Sequence, residues 1–365
     1  MSAAARSPLH VLVVDDSALV RQAMTAILEG VGDIRVTVAA DPLIAMRKMA
    51  DARPDVILLD LEMPRMDGLS FLRRLMAEDP IPVVVCSSLA GEGTQALEAM
   101  EEGAVAVVAK PRLGIREFLQ DSAILLEESL RGAAAARLRR LPARPLVPAA
   151  APRPALPPRP PSARPSPHLA SSQVVALAAS TGGTEALRVV LEAMPLDGPG
   201  LVIVQHMPEV FTRAFAERLN ATCAIEVKEA ASGDRIAVGR ALIAPGNRHM
   251  SVVRDGTGYA VDVTDGPLVS RHRPSADVLF RSVAATAGRN ALGVVLTGMG
   301  GDGAAGLLEM KRAGAPTVAQ DEASCVVFGM PREAIARGGV DEVASLDKIG
   351  PAILRLSRYG TRTPA

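Results

Sequence analysis

Val174-Val175-Ala176-Leu177-Ala178-Ala179-Ser180-Thr181-Gly182-Gly183 is a run of apolar residues that stops on a serine and a glycine turn. Two later segments repeat the pattern. Val202-Ile203-Val204-Gln205-His206-Met207-Pro208 stops on a histidine, and Val294-Val295-Leu296-Thr297-Gly298-Met299-Gly300-Gly301-Asp302-Gly303 on an aspartate. Short continuous apolar runs closed by glycine or proline fit parallel strands buried on both faces better than alternating antiparallel ones. In open parallel sheets, ligands bind beyond the carboxyl ends of the strands. The three runs therefore predict that Ser180, His206 and Asp302 meet at one sheet edge. A serine hydroxyl is a poor nucleophile until a base takes its proton, and the base needs an orienting carboxylate. His206 and Asp302 suit those two roles. Each residue alone has a plainer reading: Ser-Thr-Gly-Gly can cap a helix or cradle a phosphate, His206 can be a loop residue, and Asp302 can cap a helix. The order Ser, His, Asp and the lack of a Gly-x-Ser-x-Gly elbow speak against an ordinary α/β-hydrolase.

The N-terminal half reads as a βα repeat, also with its chemistry at strand ends. Val11–Val14 leads to Asp15, Asp16 and Ser17; Val56–Leu59 leads to Asp60; Pro82–Cys86 leads to Ser87; Val105–Ala109 leads to Lys110. Helical patterns fill 17–29, 42–52 and 68–78. Asp15, Asp16 and Asp60 form a hard oxygen cluster suited to Mg²⁺, and three carboxylates together repel unless a cation joins them. Asp60 is then a phosphoacceptor, with Ser87 and Lys110 placed to contact the added phosphoryl group.

These motifs carry a resemblance. Asp60-Leu61-Glu62-Met63-Pro64-Arg65-Met66-Asp67-Gly68, with the strand-end residues above, resembles a response-regulator receiver domain. Ala179 through Glu185, Gln205 through Pro208, Ala244-Pro245-Gly246, His272-Arg273-Pro274-Ser275, Leu296 through Gly300, Gln320-Asp321 and Gly329-Met330-Pro331 resemble the chemotaxis response-regulator protein-glutamate methylesterases. The likeness runs from about residue 9 to 356 apart from a central linker. It implies an α/β chain: a flavodoxin-like receiver over 9–127, a linker over 128–172, and a doubly wound parallel-sheet methylesterase domain with an added β-hairpin over 173–358. It also implies a cytoplasmic enzyme that hydrolyses glutamate γ-methyl esters on a chemoreceptor, deamidates receptor glutamines, and is activated through a histidine kinase as phosphodonor. Mg²⁺ belongs to the receiver, and the catalytic domain needs no cofactor. The resemblance puts the base at His206 rather than His249 or His272.

Other positions carry finer expectations. Thr181, Gly182, Met299 and Gly300 are the candidates for an oxyanion hole, since glycine turns let backbone N–H groups approach a developing charge. Thr181 is either a hydroxyl near the site or a helix cap. Residues 249–264 alternate around Asp255-Gly256-Thr257-Gly258 and predict a hairpin added to the parallel sheet. Residues 277–287 predict a helix with Val278, Leu279, Val283 and Ala284 inward. In the loop before it, Arg271 or Arg273 is suited to steer acidic substrate segments. His272 lies among arginines, whose charge opposes its taking up a proton.

Composition sets the outer limits. A chain of 365 residues suggests two domains. Aromatics are only 2%, so Ala, Val and Leu must build the cores. Lys and Arg balance Asp and Glu at 40 each, which implies no general pull toward nucleic acid. Cys86, Cys223 and Cys325 have no metal-ligand or disulfide spacing. No signal-peptide core and no span of membrane length is expected. Residues 131–172 hold eight arginines and no Lys, Asp or Glu, leaving 32 basic and 40 acidic residues elsewhere. Eleven prolines within 142–167 exclude regular structure there and mark an extended linker.

Overall fold

A computed structural model describes residues 8–30, 33–63, 67–87, 93–110, 116–137 and 170–359. Most of the proline-rich linker, and Pro64-Arg65-Met66 after the candidate phosphoacceptor, lie outside the described residues. The N-terminal chain runs β1 (Leu9–Val14), α1 (Ala18–Glu29), β2 (Ile34–Ala39), α2 (Pro42–Asp51), β3 (Val56–Asp60), α3 (Gly68–Glu78), β4 (Val83–Ser87), α4 (Gly93–Glu101), β5 (Ala106–Ala109) and α5 (Arg116–Ala134). Its strands pair in the parallel order β2-β1-β3-β4-β5, the flavodoxin-like arrangement. Local chemistry starts the helices where expected. Ser17, Asp41 and Asp67 each accept a backbone N–H three residues on, the N-cap role of short oxygen-bearing side chains.

Helix α5 runs past residue 127, the predicted end of the receiver. Leu126, Leu130 and Ala133 recur on one face and bury against the N-terminal sheet, and Arg131 pairs with Glu127 one turn back at 2.8 Å. Helical periodicity thus continues beyond residue 127, and residues 128–134 are helix.

The second domain continues with β6 (Val174–Ala179), α6 (Gly183–Glu192), β7 (Gly200–Gln205), α7 (Glu209–Thr222), β8 (Glu226–Glu229), β9 (Arg240–Ile243), β10 (His249–Asp255), β11 (Gly258–Thr264), α8 (Ala276–Ala287), β12 (Ala291–Val295), α9 (Ala304–Arg312), β13 (Thr317–Gln320), α10 (Met330–Ala336), β14 (Glu342–Ala344) and α11 (Leu346–Tyr359). Among the described residues its main sheet has the order β14-β13-β12-β6-β7-β9-β8, all parallel. From β6 the chain winds to β7 on one side and later returns to β12 on the other. That reversal opens a crevice beyond β6. The register sets its walls: Ala179 pairs with Gln205 and Ala178 with Val295. Ser180 and His206 therefore follow paired residues on adjacent strands.

The hairpin β10–β11 forms as expected, but as a separate two-stranded sheet rather than an extension of the parallel one. Its inner residues Met250, Val252 and Val261 pack with α8 in the core beneath the main sheet. The inward face of α8 is Leu279, Phe280, Val283 and Ala287, while Val278 and Ala284 are only half-buried.

The two domains touch. Helix α4 packs on α7, where Glu101 and Arg218 form an ion pair. The Gly182 N–H donates to Val105 O at 3.2 Å, and the Arg137 N–H to Val326 O at 2.9 Å. Arg137 also pairs with Glu322 at 2.6 Å.

Phe280 is fully buried, and the backbones of Gly303 and Gly306 rest against its side chain. Phe280→Ala should cost about 3–5 kcal/mol, read as a lower urea midpoint for the C-terminal transition. A shift worth under about 1 kcal/mol would contradict this packing.

Candidate active site

Asp302 is the anchor of the crevice. Its Oδ1 accepts Ser275 Oγ at 2.7 Å and the Asp277 N–H at 3.1 Å. Its Oδ2 accepts the Ala276 N–H at 2.6 Å and faces His206 Nε2 at 2.9 Å. The carboxylate thus sits on the N-terminus of α8, where unpaired amides and the helix dipole favour negative charge. The helix that Asp302 caps is α8, which precedes it, and not α9, which follows it; Gly303 starts α9 with no side-chain cap. Burial alone would raise the Asp302 carboxyl, but the bonds from His206, Ser275 and Ala276 outweigh that and bring it down to about 2.

His206 projects from the end of β7 with its ring only 8% exposed. Because Nε2 is committed to Asp302, Nδ1 is the nitrogen left to take a proton, and it has no hydrogen-bond partner. Burial and the neighbouring His272 hold the imidazole below its ordinary value, against the opposing pull of Asp302. Ser180 is half-buried at the end of β6 and lines the same cleft, about 870 Å³ in volume. Its hydroxyl is not spent on the helix: α6 begins at Gly183, and the cap residue Gly182 has a left-handed φ of 76° with no side-chain bond. Thr181 is not the cap either. Its carbonyl accepts Thr297 Oγ1 at 3.0 Å, tying the Ser180 turn to the loop after β12.

The structure thus brings Ser180, His206 and Asp302 to one sheet edge, with Thr181 and Met299 along the cleft. Gly182 and Gly300 flank them, both with positive φ. Three further residues matter here. Gln205 Nε2 donates to Ser180 O at 2.9 Å and to His206 O at 3.2 Å, bridging the serine and histidine turns. His272 stacks flat on His206, with ring centroids 3.7 Å apart. Glu128, from α5 of the N-terminal domain, faces His272 Nε2 at 3.3 Å. The arginine-rich loop thus meets an acidic residue from a distant part of the chain, which no local pattern reveals. His249 is buried and bonded to Pro267 O and the Ser275 N–H, so it holds this loop in place. Arg273 is spent on Asn247 and the Gly266 carbonyl, which leaves Arg271 as the exposed arginine of the pair.

The acidic site of the N-terminal domain lies at the ends of β1 and β3. Carboxylate oxygens of Asp15, Asp16 and Asp60 lie within 4.8 Å of one another. Lys110 Nζ lies 2.7 Å from Asp60 and 3.4 Å from Asp15, and Ser87 is buried at the end of β4. Burial, aided by Asp15, raises the Asp60 carboxyl despite Lys110. One ammonium against three carboxylates leaves a deficit that suits a divalent, oxygen-seeking ion such as Mg²⁺.

Comparison with known proteins agrees in both halves. The family described as CheB methylesterase matches residues 175–353, and the response regulator receiver domain matches 11–120. A protein-glutamate methylesterase/protein-glutamine glutaminase of Anaeromyxobacter dehalogenans is 59% identical over 359 residues, covering 96% of this chain and 99% of that protein. One of Geobacter metallireducens is 54% identical over 353 residues, covering 95% and 99%. The crystal structure of the Thermotoga maritima CheB methylesterase catalytic domain is 34% identical, with a TM-score of 0.49, and covers 50% of this chain and 98% of that one.

The depressed His206 has a measurable consequence. A group whose pKa is lowered stays neutral until the pH falls through that lower value. The acid limb of kcat/KM on a small methyl ester should therefore have its midpoint below pH 6.5, the ordinary histidine value. A midpoint at or above about 7 would contradict the buried, His272-stacked environment.

Proposed function

The chain belongs to the protein-glutamate methylesterase/protein-glutamine glutaminase family, with a receiver domain ahead of its CheB methylesterase domain, and we propose that Ser180, His206 and Asp302 carry its ester hydrolysis under control of Asp60. The observation that carries this reading is the His206–Asp302 pair at 2.9 Å beside Ser180 on one sheet edge. The Ser180 hydroxyl attacks the γ-carbonyl of a methylated glutamate side chain on a chemoreceptor while His206 Nδ1 takes its proton. His206 returns that proton to the departing methoxy oxygen, and methanol leaves. Water, deprotonated by the same nitrogen, then opens the acyl-serine to glutamate and free Ser180. Asp302 stabilises the imidazolium in both halves. A glutamine side chain follows the same path with ammonia leaving, which accounts for the glutaminase activity in the relatives' names. The oxyanion donors are the amides around Thr181, Gly182, Met299 and Gly300. The Gly182 amide is bound to Val105 O while the receiver is docked, so it becomes available when the receiver withdraws.

Asp60 is the proposed phosphoacceptor, fed by a histidine kinase. Mg²⁺ would be held by Asp15, Asp16 and Asp60, and would neutralise these carboxylates so that a phosphoryl group can approach. Lys110 and Ser87 then contact that group. Lys110 follows β5 at one end and Val105 precedes it at the other, so one short strand joins the acidic pocket to the contact with Gly182. A shift of that strand carries a change at Asp60 to the receiver's contact with the catalytic turn. The described residues contain no helix long and apolar enough to cross a membrane.

Ser180→Ala should lower methanol release from methylated receptor by about 10³-fold or more, and His206→Ala by nearly as much, because triad members act as a unit. Undiminished release by Ser180→Ala would sink the assignment. A small phosphodonor should label the wild-type chain but not Asp60→Asn; equal labelling of both would put the acceptor elsewhere. A chain beginning at Ser172 should outpace the unphosphorylated full chain on receptor. Equal rates would show that the receiver acts by some route other than covering the cleft.

A further inference from the structure

Helix α5 lies across the mouth of the cleft and presents two residues, one turn apart, to the catalytic loops. Gly132 approaches so closely that a Cβ there would stand 3.1 Å from both Met299 Cβ and Thr181 Oγ1. One turn earlier, Glu128 enters the cleft. Its Oε1 faces His272 Nε2 at 3.3 Å and lies over Gly300, where an added Cβ would stand 2.8 Å from it. Its Oε2 is buried with no hydrogen-bond partner. The His272 ring that receives it is itself stacked on the proposed base, at 10° between planes. Burial works to raise the Glu128 carboxyl, yet His272, with His206 and Arg271 behind it, holds it below the ordinary range.

A carboxylate withdrawn from water with one oxygen unpaired is costly unless its surroundings favour the charge. The surroundings here are His272, Arg271 and the Met299-Gly300 turn, all from the catalytic domain. They form a site fitted to a carboxylate beside the base, and ester hydrolysis at that base yields a glutamate carboxylate. We propose that the seat of Glu128 is a carboxylate subsite of the catalytic cleft, taking a glutamate γ-carboxylate in the working enzyme and filled by Glu128 while the receiver is docked. The subsite rests on the esterase reading above for its natural ligand. On this account the docked receiver supplies a tethered likeness of the product in addition to its bulk.

The test uses the full-length chain. Glu128→Gln preserves length and shape but removes the charge, and should raise methanol release from a small soluble methyl ester, without phosphodonor, by about tenfold, the effect of one lost contact of ordinary strength. Gly132→Val, which adds bulk between α5 and the Met299 and Thr181 side chains while keeping the carboxylate, serves as the comparison for simple obstruction. N-acetyl-L-glutamate α-amide is then titrated into both wild type and Glu128→Gln, with the His272 ring signals followed by NMR. The signals should shift saturably in Glu128→Gln and stay fixed in unphosphorylated wild type, whose seat is taken; capped norvaline, which lacks the carboxylate, should move neither. The proposal is overturned if capped glutamate shifts His272 no more than capped norvaline does. It is equally overturned if Gly132→Val activates while Glu128→Gln keeps the wild-type rate, since the receiver then obstructs by bulk alone. The binding titration reads the subsite even if no methanol is ever released, so failure of the esterase reading is a separate result.

Discussion

The carboxylate of Asp302 is the joint on which the catalytic half depends. One residue satisfies two amides and a hydroxyl at the start of α8 and still offers an oxygen to His206. The loop after β12, the helix α8 and the strand β7 therefore share a single buried charge. A buried charge is tolerable only when its lone pairs are used, and here four donors use them. The same arrangement fixes which histidine nitrogen is bound and which is bare. The start of α8 and the position of His206 thus draw on the same carboxylate, and loosening the helix start would loosen His206.

Around that joint, turns that belong to different strands are tied by backbone-directed side chains. Gln205 links the serine and histidine turns, and Thr297 links the Thr181 carbonyl to the loop after β12. The receiver reaches these same turns by a different kind of contact. It combines apolar packing, of α4 on α7 and of Val326 against α5, with a few polar bonds, one close glycine and one acidic side chain.

Much of this was legible from the chain. Ser180, His206 and Asp302 announced themselves because a buried parallel strand reads as an unbroken apolar run, and the polar residues and turn that follow it lie at the sheet edge. The acidic cluster was legible for the same reason. Strand β2 lacks such an unbroken run: Ile34, Val36 and Val38 alternate with Arg35 and Thr37, the pattern of a half-buried strand. The hairpin could be read from its alternation, but which sheet it joins depends on long-range packing. Glu128 was hidden because the arginine and proline bias nearby suggested a linker, while the helix ran on through it. The partner of Glu128, His272, lies far along the chain, and no local pattern links them. The plainer reading of Asp302 as a helix cap left the helix unspecified, because spacing reveals only neighbours in sequence, whereas the amides it binds belong to α8.

The most direct test of this account is the protonation state of one imidazole. In ¹⁵N-labelled full-length protein, the ring nitrogens of His206 report which one carries the proton. The account predicts a neutral ring at pH 7, with the proton on Nε2 held by Asp302 and Nδ1 bare, and protonation of Nδ1 only below pH 6.5. A proton on Nδ1 at neutral pH, or a ring already charged at pH 7, would contradict the assignment of His206 as the base oriented by Asp302.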